Sequence, residues 1–275
     1  MRYWKLERVP EPEDMDEAEE VQSYNSAAAA RHLDAIDNTF VAHLLRLLPQ
    51  ETAAETQQHR EIPVQKTNDW DRDVQGARAL PNSAWGLDVG TGPGQIPVKI
   101  LTRLSGLKMI GLDRSPTMLA CARRNAEQAG VSERLALLVG DGHSLPFPDR
   151  AFALVICNSV LHHARAPVEL LREIFRVAEG NAPVLIRDLR RPSRPFLWWH
   201  LWRHGRHYDG WMRRLFDNSV RAAYTLDELQ GFLDQAQPPG ARVFRFREAH
   251  IGVERAGRQV LGNREQGTDG PLDFA

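Results

Sequence analysis

Three alternating glycines follow an apolar run in the stretch LDVGTGPGQ, which covers residues 87–95. Gly90, Gly92 and Gly94 carry no Cβ atom, so the backbone can turn tightly there and approach a bound molecule closely. A helix that begins directly after the turn directs its free N–H groups at the same place. The residue types and their spacing therefore predict a cofactor-binding loop. A tight turn that binds no ligand is the alternative interpretation.

The spacing of the glycines separates two classes of cofactor site. Dinucleotide-binding folds use the pattern G-x-G-x-x-G. Counted from Gly90, the third glycine of that pattern would fall on Gln95. Counted from Gly92, it would fall on Pro97. Both registers fail, and the pattern present is an acid, Asp88, followed by three alternating glycines.

This variant resembles the first motif of the class I S-adenosylmethionine-dependent methyltransferases. Two later stretches resemble further motifs of the family in the same order: GLDRSPTML at residues 111–119 and VGDGHSLPFPDRAFALVICNSVLHH at residues 139–163. The resemblance covers about residues 84–190 and is nearest to the small-molecule group that includes the ubiquinone and menaquinone C-methylating enzymes. It implies S-adenosyl-L-methionine as the cofactor and names no particular acceptor.

The resemblance also implies roles for single residues. Asp113 would accept hydrogen bonds from both ribose hydroxyls, Met118 would lie on the adenine face, and Asp141 would accept from the adenine amino group. Asn158 would lie near the methionine part. Taken singly, Asp113 also fits a helix cap and Asp141 a turn. The residues expected at the cofactor are Asp88, Gly90, Thr91, Gly92, Gly94, Asp113, Arg114, Met118, Asp141, Gly142, His143, Asn158 and Ser159.

Two neighbouring histidines and an aspartate are the candidates for catalytic acid–base chemistry. His162 and His163 follow a predicted strand at its carboxyl end, where open α/β sheets bind ligands, and histidine titrates near neutral pH. Asp188 ends the next strand and is a candidate to orient the acceptor or act as base, or else to pair with a nearby arginine. A structural role in the loop is the alternative for each histidine. Paired histidines also suggest a metal site, but we find no third ligand at a suitable spacing and expect no metal ion.

The segment PFLWWHLWRHGRHYDGWMRRLF, residues 195–216, contains four of the seven tryptophans. Trp198, Leu201 and Trp202 share one helix face at steps of three and four residues. Packing on the sheet, an aromatic lid over the substrate and a helix that touches a membrane are three interpretations of this pattern. We favour packing that also lines the acceptor pocket, with Trp198 and Trp202 as substrate-binding residues. Tyr24 is a further candidate, because N-terminal aromatic residues fold over the cofactor in related enzymes.

Apolar runs that alternate with helical patterns must position these residues. The predicted strands are AWGLDVG, LKMIGLD, LALLVGD, FALVICN and APVLIRDL, with helical patterns at 96–104, 116–129 and 167–179. Ser115 and Pro116 are predicted to cap and begin the second of these helices. ARVFRFREA and HIGVERA predict an edge hairpin near the end of the chain. The alternation is typical of parallel strands joined by crossover helices. Together with the resemblance, it predicts a doubly wound α/β fold, a mostly parallel seven-stranded Rossmann-like methyltransferase sheet.

Three segments follow from these patterns. Residues 1–82 are predicted to form an N-terminal helical segment, with an apolar stripe ending near Pro49, and a polar linker. Residues 83–262 would form the methyltransferase domain, with a helical lid inserted after strand five at about 192–234. Residues 263–275 would form a flexible tail.

The composition and the net charge indicate which classes of binding partner to expect. The 275 residues carry a formal net charge of −1, which gives no general attraction to nucleic acid or to membranes. The stretch NSVL at 158–161 is not the Asn-Pro-Pro-aromatic motif of base-flipping enzymes. With two cysteines (Cys121 and Cys157), no apolar signal core and no apolar run of transmembrane length, we expect a cytoplasmic protein without stable membrane insertion.

We therefore expect metal-independent, in-line methyl transfer from S-adenosyl-L-methionine to a small-molecule acceptor, and no nucleic-acid partner. A non-catalytic protein that keeps the fold and binds the cofactor or a partner is the alternative, because a fold does not fix a function. The sequence carries no signal for the oligomeric state.

Overall fold

A computed structural model describes residues 6–11, 27–49, 80, 84–208 and 210–258. A first helix precedes the alternating part of the chain, which continues through five parallel strands to a helical segment and a hairpin. The elements up to the fifth strand are α1 (Ala27–Leu47), β1 (Trp85–Val89), α2 (Gln95–Leu101), β2 (Lys108–Asp113), α3 (Pro116–Gln128), β3 (Leu135–Val139), β4 (Leu154–Asn158), α4 (Pro167–Val177) and β5 (Val184–Leu189). The elements after it are α5 (Leu197–Gly205), α6 (Gly210–Ala222), α7 (Leu226–Ala236), β6 (Arg242–Phe246) and β7 (His250–Arg255).

The described strands form one seven-stranded sheet in the order β3-β2-β1-β4-β5-β7-β6. The first five strands are parallel, and β7 is antiparallel to both β5 and β6. The predicted doubly wound, mostly parallel sheet is confirmed. The predicted hairpin also forms, but β7 inserts beside β5, so only β6 lies at the edge. The carboxyl ends of the parallel strands all meet at one side of the sheet, which is where such folds bind ligands.

Apolar cores cover both faces of the sheet. Because the parallel strands are buried on both faces, their sequences are nearly continuous apolar runs. One core joins the sheet to α4 and α7, through residues such as Leu171 and Leu229. The other joins the sheet to α1 and α2, through residues such as Leu44 and Ile100. The C-terminal part of the predicted N-terminal stripe is therefore buried. Residues 12–26, 50–79 and 259–275, which include Tyr24, much of the predicted linker and the whole predicted tail, lie outside the described residues.

A buried arginine in β5 joins α1 to the sheet. The guanidinium of Arg187 donates to the hydroxyl of Thr39 at 2.9 Å and to the carbonyl of Ile36 at 3.0 Å. It also lies 4.9 Å from the ring centre of Phe40 and 5.4 Å from that of Phe246. Burial lowers the pKa of Arg187 to about 10, so the side chain keeps its charge at neutral pH. This side chain adds polar contacts between α1 and the sheet to those of the apolar core.

The helical segment after β5 consists of α5, α6 and α7 and overlaps the predicted lid, although α7 ends at Ala236, beyond the predicted bound of about 234. α7 begins with a complete capping box: Thr225 accepts the backbone N–H of Glu228, and the Glu228 carboxylate accepts that of Thr225. None of the helices in the described part of the chain is both long enough and apolar enough to cross a membrane.

Candidate functional site

A cavity of about 670 Å³ opens at the carboxyl side of the parallel strands. This volume falls within the range of sites for small molecules and cofactors. Its walls come from the loops that follow β1 to β4, from α1, and from α5 and α6. The loops that carry the predicted site residues therefore line one cavity.

The glycine loop after β1 forms the floor of this cavity. Gly90, Gly92 and Gly94 have φ values of 73°, 52° and 73°, a region that favours glycine. A Cβ atom on Gly90 would lie 2.2 Å from Cγ2 of Val160, whereas one on Gly92 would meet nothing within 4 Å. Gly92 lines the cavity, and the loop there leaves room for a ligand to approach the backbone.

Gly94 has a different role from the predicted one. It does not line the cavity; it precedes α2, and a Cβ atom there would lie 2.8 Å from Cβ of Ala122 in α3. The missing side chain allows the start of α2 to pack closely against α3. All the other residues predicted to contact the cofactor line the cavity.

Asp88 lies buried beneath the glycine loop. Its carboxylate accepts a hydrogen bond of 2.8 Å from the Thr91 hydroxyl, which fixes the shape of the turn. Burial raises the pKa of Asp88 to about 7. A positively charged ligand group near this carboxylate would stabilise its ionised form.

Asp113 connects the ends of two loops at the tip of β2. One carboxylate oxygen accepts the backbone N–H of Gly92 at 2.7 Å, and the other accepts that of Ser115 at 2.9 Å. A carboxylate oxygen can accept more than one hydrogen bond, as binding of a ribose hydroxyl would require. The predicted cap is confirmed, because Ser115 accepts the N–H of Met118 and Pro116 begins α3.

Asp141 lies on the far wall, in the loop after β3. Its Oδ1 accepts the backbone N–H of His143 at 2.9 Å and lies 2.8 Å from Nδ1 of the same residue. Burial raises the pKa of Asp141, but the hydrogen bonds from His143 and the charge of Arg165 outweigh burial and lower it overall. The turn and the ligand interpretation of Asp141 are therefore compatible, since this ionised acceptor both shapes the loop and faces the cavity.

His162 and Asp188 form a buried pair on the opposite side. Nδ1 of His162 lies 2.6 Å from Oδ1 of Asp188, whose other oxygen accepts the backbone N–H of His162 at 2.9 Å. Because an ionised carboxylate can only accept, Nδ1 carries the hydrogen of this bond, and in the neutral imidazole Nε2 of His162 has the lone pair. Nε2 has no hydrogen-bond partner among the described residues. Burial lowers the pKa of His162, but the charge and hydrogen bond of Asp188 outweigh it and raise the pKa overall.

Glu11 is a third group beside the paired histidines. Its Oε2 lies 3.7 Å from Nε2 of His162 and 3.8 Å from Nδ1 of His163. The three ligand atoms lie within 4.8 Å of one another, a spacing that a metal ion could bridge. Glu11 is the third candidate ligand that the spacing along the sequence does not show, so the lack of one no longer excludes a metal ion. The expectation that no metal ion is bound stays a prediction.

Part of the chain is similar to a known family of domains. Residues 87–186, which supply the glycine loop and most of the cavity loops, match a family described as a methyltransferase domain. Within residues 87–186 the chain therefore carries a methyltransferase domain. The predicted cofactor, S-adenosyl-L-methionine, is the cofactor of this domain, and the open glycine loop and the acidic groups around it fit that molecule.

Relatives cover only part of this methyltransferase chain. Norajmaline N-methyltransferase of Rauvolfia serpentina is 33% identical over 36% of this chain and 34% of its own length. A demethylmenaquinone methyltransferase of Thermus thermophilus is 32% identical over 39% of this chain and 48% of its own length. The chain thus spans between a third and a half of the length of these relatives. The plantazolicin methyltransferase BamL shares the fold, with a TM-score of 0.50 at 12% identity over 62% of this chain and 76% of its own.

The segment 195–216, predicted to line the acceptor pocket, contributes His204, Tyr208, Met212 and Phe216 to the cavity. The sequence did not reveal the lining residues from α1, from the second half of α6 and from the start of β7: His32, Asp37, Ser219 and His250. Helical periodicity identified the stripe of α1 that contains Leu33 and Ile36. It gave no sign that this end of α1 lines a cavity, because that depends on where the helix lies against the sheet.

Trp198 and Trp202 are not part of the cavity wall. Their side chains are 85% and 59% exposed, whereas Leu197 and Leu201 form the buried face of α5. The placement on the surface disagrees with the prediction that the two tryptophans line the acceptor pocket. The two leucines pack α5 against its neighbours together with the buried His200 and Gly205, and His204 is the α5 residue that reaches the cavity.

Proposed function

We propose that the protein transfers a methyl group from S-adenosyl-L-methionine to a small-molecule acceptor in the cytoplasm, by in-line displacement and without a metal ion. One observation carries the proposal: the cofactor-motif residues and His162, which is paired with the buried Asp188 behind it, face one cavity. The cofactor supplies a methyl group already activated on a sulfonium. The protein then has to hold the acceptor in line and remove its proton.

The cofactor end of the cavity would hold the cofactor through acidic and backbone groups. Asp113 accepts from ribose hydroxyls, Asp141 accepts from the adenine amino group, and Met118 packs on the adenine face. Thr91, Arg114, Gly142, His143, Asn158 and Ser159 complete this wall. Because Asp113 already binds the backbone of two loops, it also keeps those loops at a fixed distance.

His162 would be the proton acceptor. Asp188 holds its Nδ1–H, so that the lone pair of Nε2 is available for a proton from a hydroxyl, an amine or an acidic carbon of the acceptor. Once protonated, the imidazolium is stabilised by the Asp188 carboxylate and by the nearby charge of Glu11. Asp188 is thus a positioning residue, and His163 lies beside the acceptor space with its ring centre 4.0 Å from that of His162.

Apolar side chains dominate the wall beyond the histidines, including Tyr208, Met212 and Phe216. This wall favours an acceptor with an apolar or aromatic part. The names of the two relatives give demethylmenaquinone and norajmaline as their compounds, which agrees with a small-molecule acceptor. The balanced net charge also argues against nucleic acid.

Methyl-labelled S-adenosyl-L-methionine incubated with a metabolite extract tests this proposal. We expect a labelled small molecule, and for His162→Ala a loss of turnover with nearly unchanged cofactor affinity measured by calorimetry. His207→Ala, an exposed histidine, is the matched control. Cofactor binding without any labelled product would favour the non-catalytic alternative.

The same assay tests metal independence. We expect full activity after treatment with a chelator and no metal in the purified protein. Loss of activity that returns with a divalent metal ion, and that requires Glu11, would contradict the metal-free reaction and assign the cluster of Glu11, His162 and His163 to a metal.

A further inference from the structure

The outer face of α5, with the turn that precedes it, exposes an unusual set of aromatic side chains. Phe196, Trp198, Trp199 and Trp202 are 61%, 85%, 46% and 59% exposed. No other tryptophan or phenylalanine in the described ranges is exposed to this extent. Contiguous exposed apolar patches on a protein surface usually mark a site of interaction.

These aromatic residues are not needed to hold α5 in place. Trp198, Trp202 and Arg206 follow one another at steps of four residues, and Trp199 and Arg203 form the adjacent row. The opposite face carries Leu197 and Leu201, which pack with Val220 of α6. The helix therefore has a buried apolar face of its own, and its second apolar face points to solvent.

The charged side chains of the segment that contains α5 are all of one sign. Residues 189–208 contain five arginines and no aspartate or glutamate. Arg194, Arg203 and Arg206 are exposed, whereas Arg191 is buried and paired with Glu228 at 2.7 Å. The chain as a whole has a net charge of −1, so the positive charge is local to this surface. We call the set of Phe196, Trp198, Trp199, Trp202, Arg203 and Arg206 the α5 surface.

We propose that the α5 surface docks on an anionic lipid bilayer. Tryptophan rings place an apolar body at the level of the lipid headgroups, and arginines bind the phosphates beside them. An amphipathic helix with aromatic residues and arginines lies in the plane of the interface and does not span the membrane. The combination of large apolar area with positive charge matches a surface that is both apolar and negatively charged.

The docked position would also place the cavity beside the lipid. His204 on the inner side of α5 lines the cavity, and the tryptophans cover its outer side. One helix diameter, about 10 Å, separates the two. Docking does not depend on the proposed methyl transfer, since it is a property of the outer face alone.

Sedimentation of the purified full chain with lipid vesicles tests the proposal. We expect binding to vesicles of phosphatidylcholine mixed with phosphatidylglycerol, weaker binding to pure phosphatidylcholine, and a decrease at high salt. The double variant Trp198→Ala/Trp202→Ala should lose affinity by roughly tenfold per tryptophan. Arg203→Gln/Arg206→Gln should lose about fivefold per arginine, on anionic vesicles only.

Lys108→Gln/Arg123→Gln is the matched control, because it removes the same charge from exposed residues outside the α5 surface and should leave vesicle binding unchanged. Thermal unfolding and cofactor affinity of the tryptophan variant should match wild type, since both side chains are exposed. Failure of the wild type to sediment with anionic vesicles, or equal sedimentation of wild type and both α5 variants, would overturn the proposal. A dimer in solution that the tryptophan variant abolishes, without vesicle binding, would assign the surface to a second copy of the chain.

Discussion

The cofactor end and the acceptor end of the cavity are built from contacts of very different range. At the cofactor end, Asp113 binds Gly92 across 21 positions, and Asp141 binds His143 across 2. At the acceptor end, Glu11 accepts a hydrogen bond of 3.0 Å from Ser219 across 208 positions. Arg8 likewise donates to the backbone carbonyl of His162 across 154 positions.

This difference in contacts determines how each end of the cavity forms and which property its substitutions should change. The cofactor end is a strand, a turn and a helix that shape one another locally, so it can form the same way in chains with unlike surroundings. The acceptor end exists only where the N-terminal segment, β5 and the helices after β5 meet. Substitutions at the cofactor end should therefore change cofactor affinity, and those at the acceptor end should change turnover.

Gly90→Ala is expected to have the largest effect. The new Cβ atom would overlap Val160 in a backbone conformation that already disfavours alanine, at a cost of about 2–4 kcal/mol in stability. Val160 lies two residues before His162, in the loop that follows β4. The variant should therefore also show no measurable cofactor binding in calorimetry. It is the one change expected to damage both ends of the cavity.

Gly130→Ala is the control for this prediction. Gly130 has a similar φ of 67°, but a Cβ atom there would meet nothing within 4 Å. The Gly130→Ala variant should lose only about 1–2 kcal/mol of stability, the cost of an alanine in this backbone conformation, and should keep full cofactor affinity. If both variants unfold at the same temperature, the contact with Val160 is not the cause.

Asp188→Asn should lower turnover by roughly 100-fold with little change in cofactor affinity. Turnover of the wild type should rise with pH as His162 loses its proton, with a midpoint above the ordinary pKa of histidine, because Asp188 raises that pKa. Removal of the charge should move the midpoint to lower pH. Thermal unfolding measured in parallel distinguishes a folded variant from an unfolded one. If the midpoint of turnover against pH is the same in Asp188→Asn and in the wild type, Asp188 has no role in the proton transfer.

Asp113→Ala should have the smallest effect of the three, a loss of about 1–3 kcal/mol in cofactor binding, the scale of hydrogen bonds to a charged group. The KM for the acceptor should stay the same, because Asp113 lies at the other end of the cavity. Asp149→Ala removes an exposed carboxylate paired with Arg176 and should leave the cofactor affinity unchanged. Equal loss in the two variants would contradict the assignment of Asp113 to the cofactor.

The range of the contacts also explains how far the sequence could predict the structure. The strands, the Ser115 cap and the glycine loop follow from neighbouring residues, and each formed as predicted. Glu11 and Ser219 meet only after the whole sheet has folded, and no spacing along the chain indicates that contact. Periodicity identified an aromatic face on α5. It could not show that the buried face with Leu197 and Leu201 suffices for packing, because burial of a helix face depends on the volume its neighbours leave.

The buried guanidinium of Arg187 has a consequence for the order in which the site forms. It binds the carbonyl of Ile36 and the hydroxyl of Thr39, and the same end of α1 provides Asp37 to the cavity wall. Attachment of α1 and completion of the cavity are therefore linked equilibria. A ligand that touches α1 adds its binding free energy to the attachment of the helix. The backbone amide hydrogens of α1 should then exchange with solvent more slowly in the presence of ligand. The helix would thus unfold together with the ligand-bound domain and not independently of it.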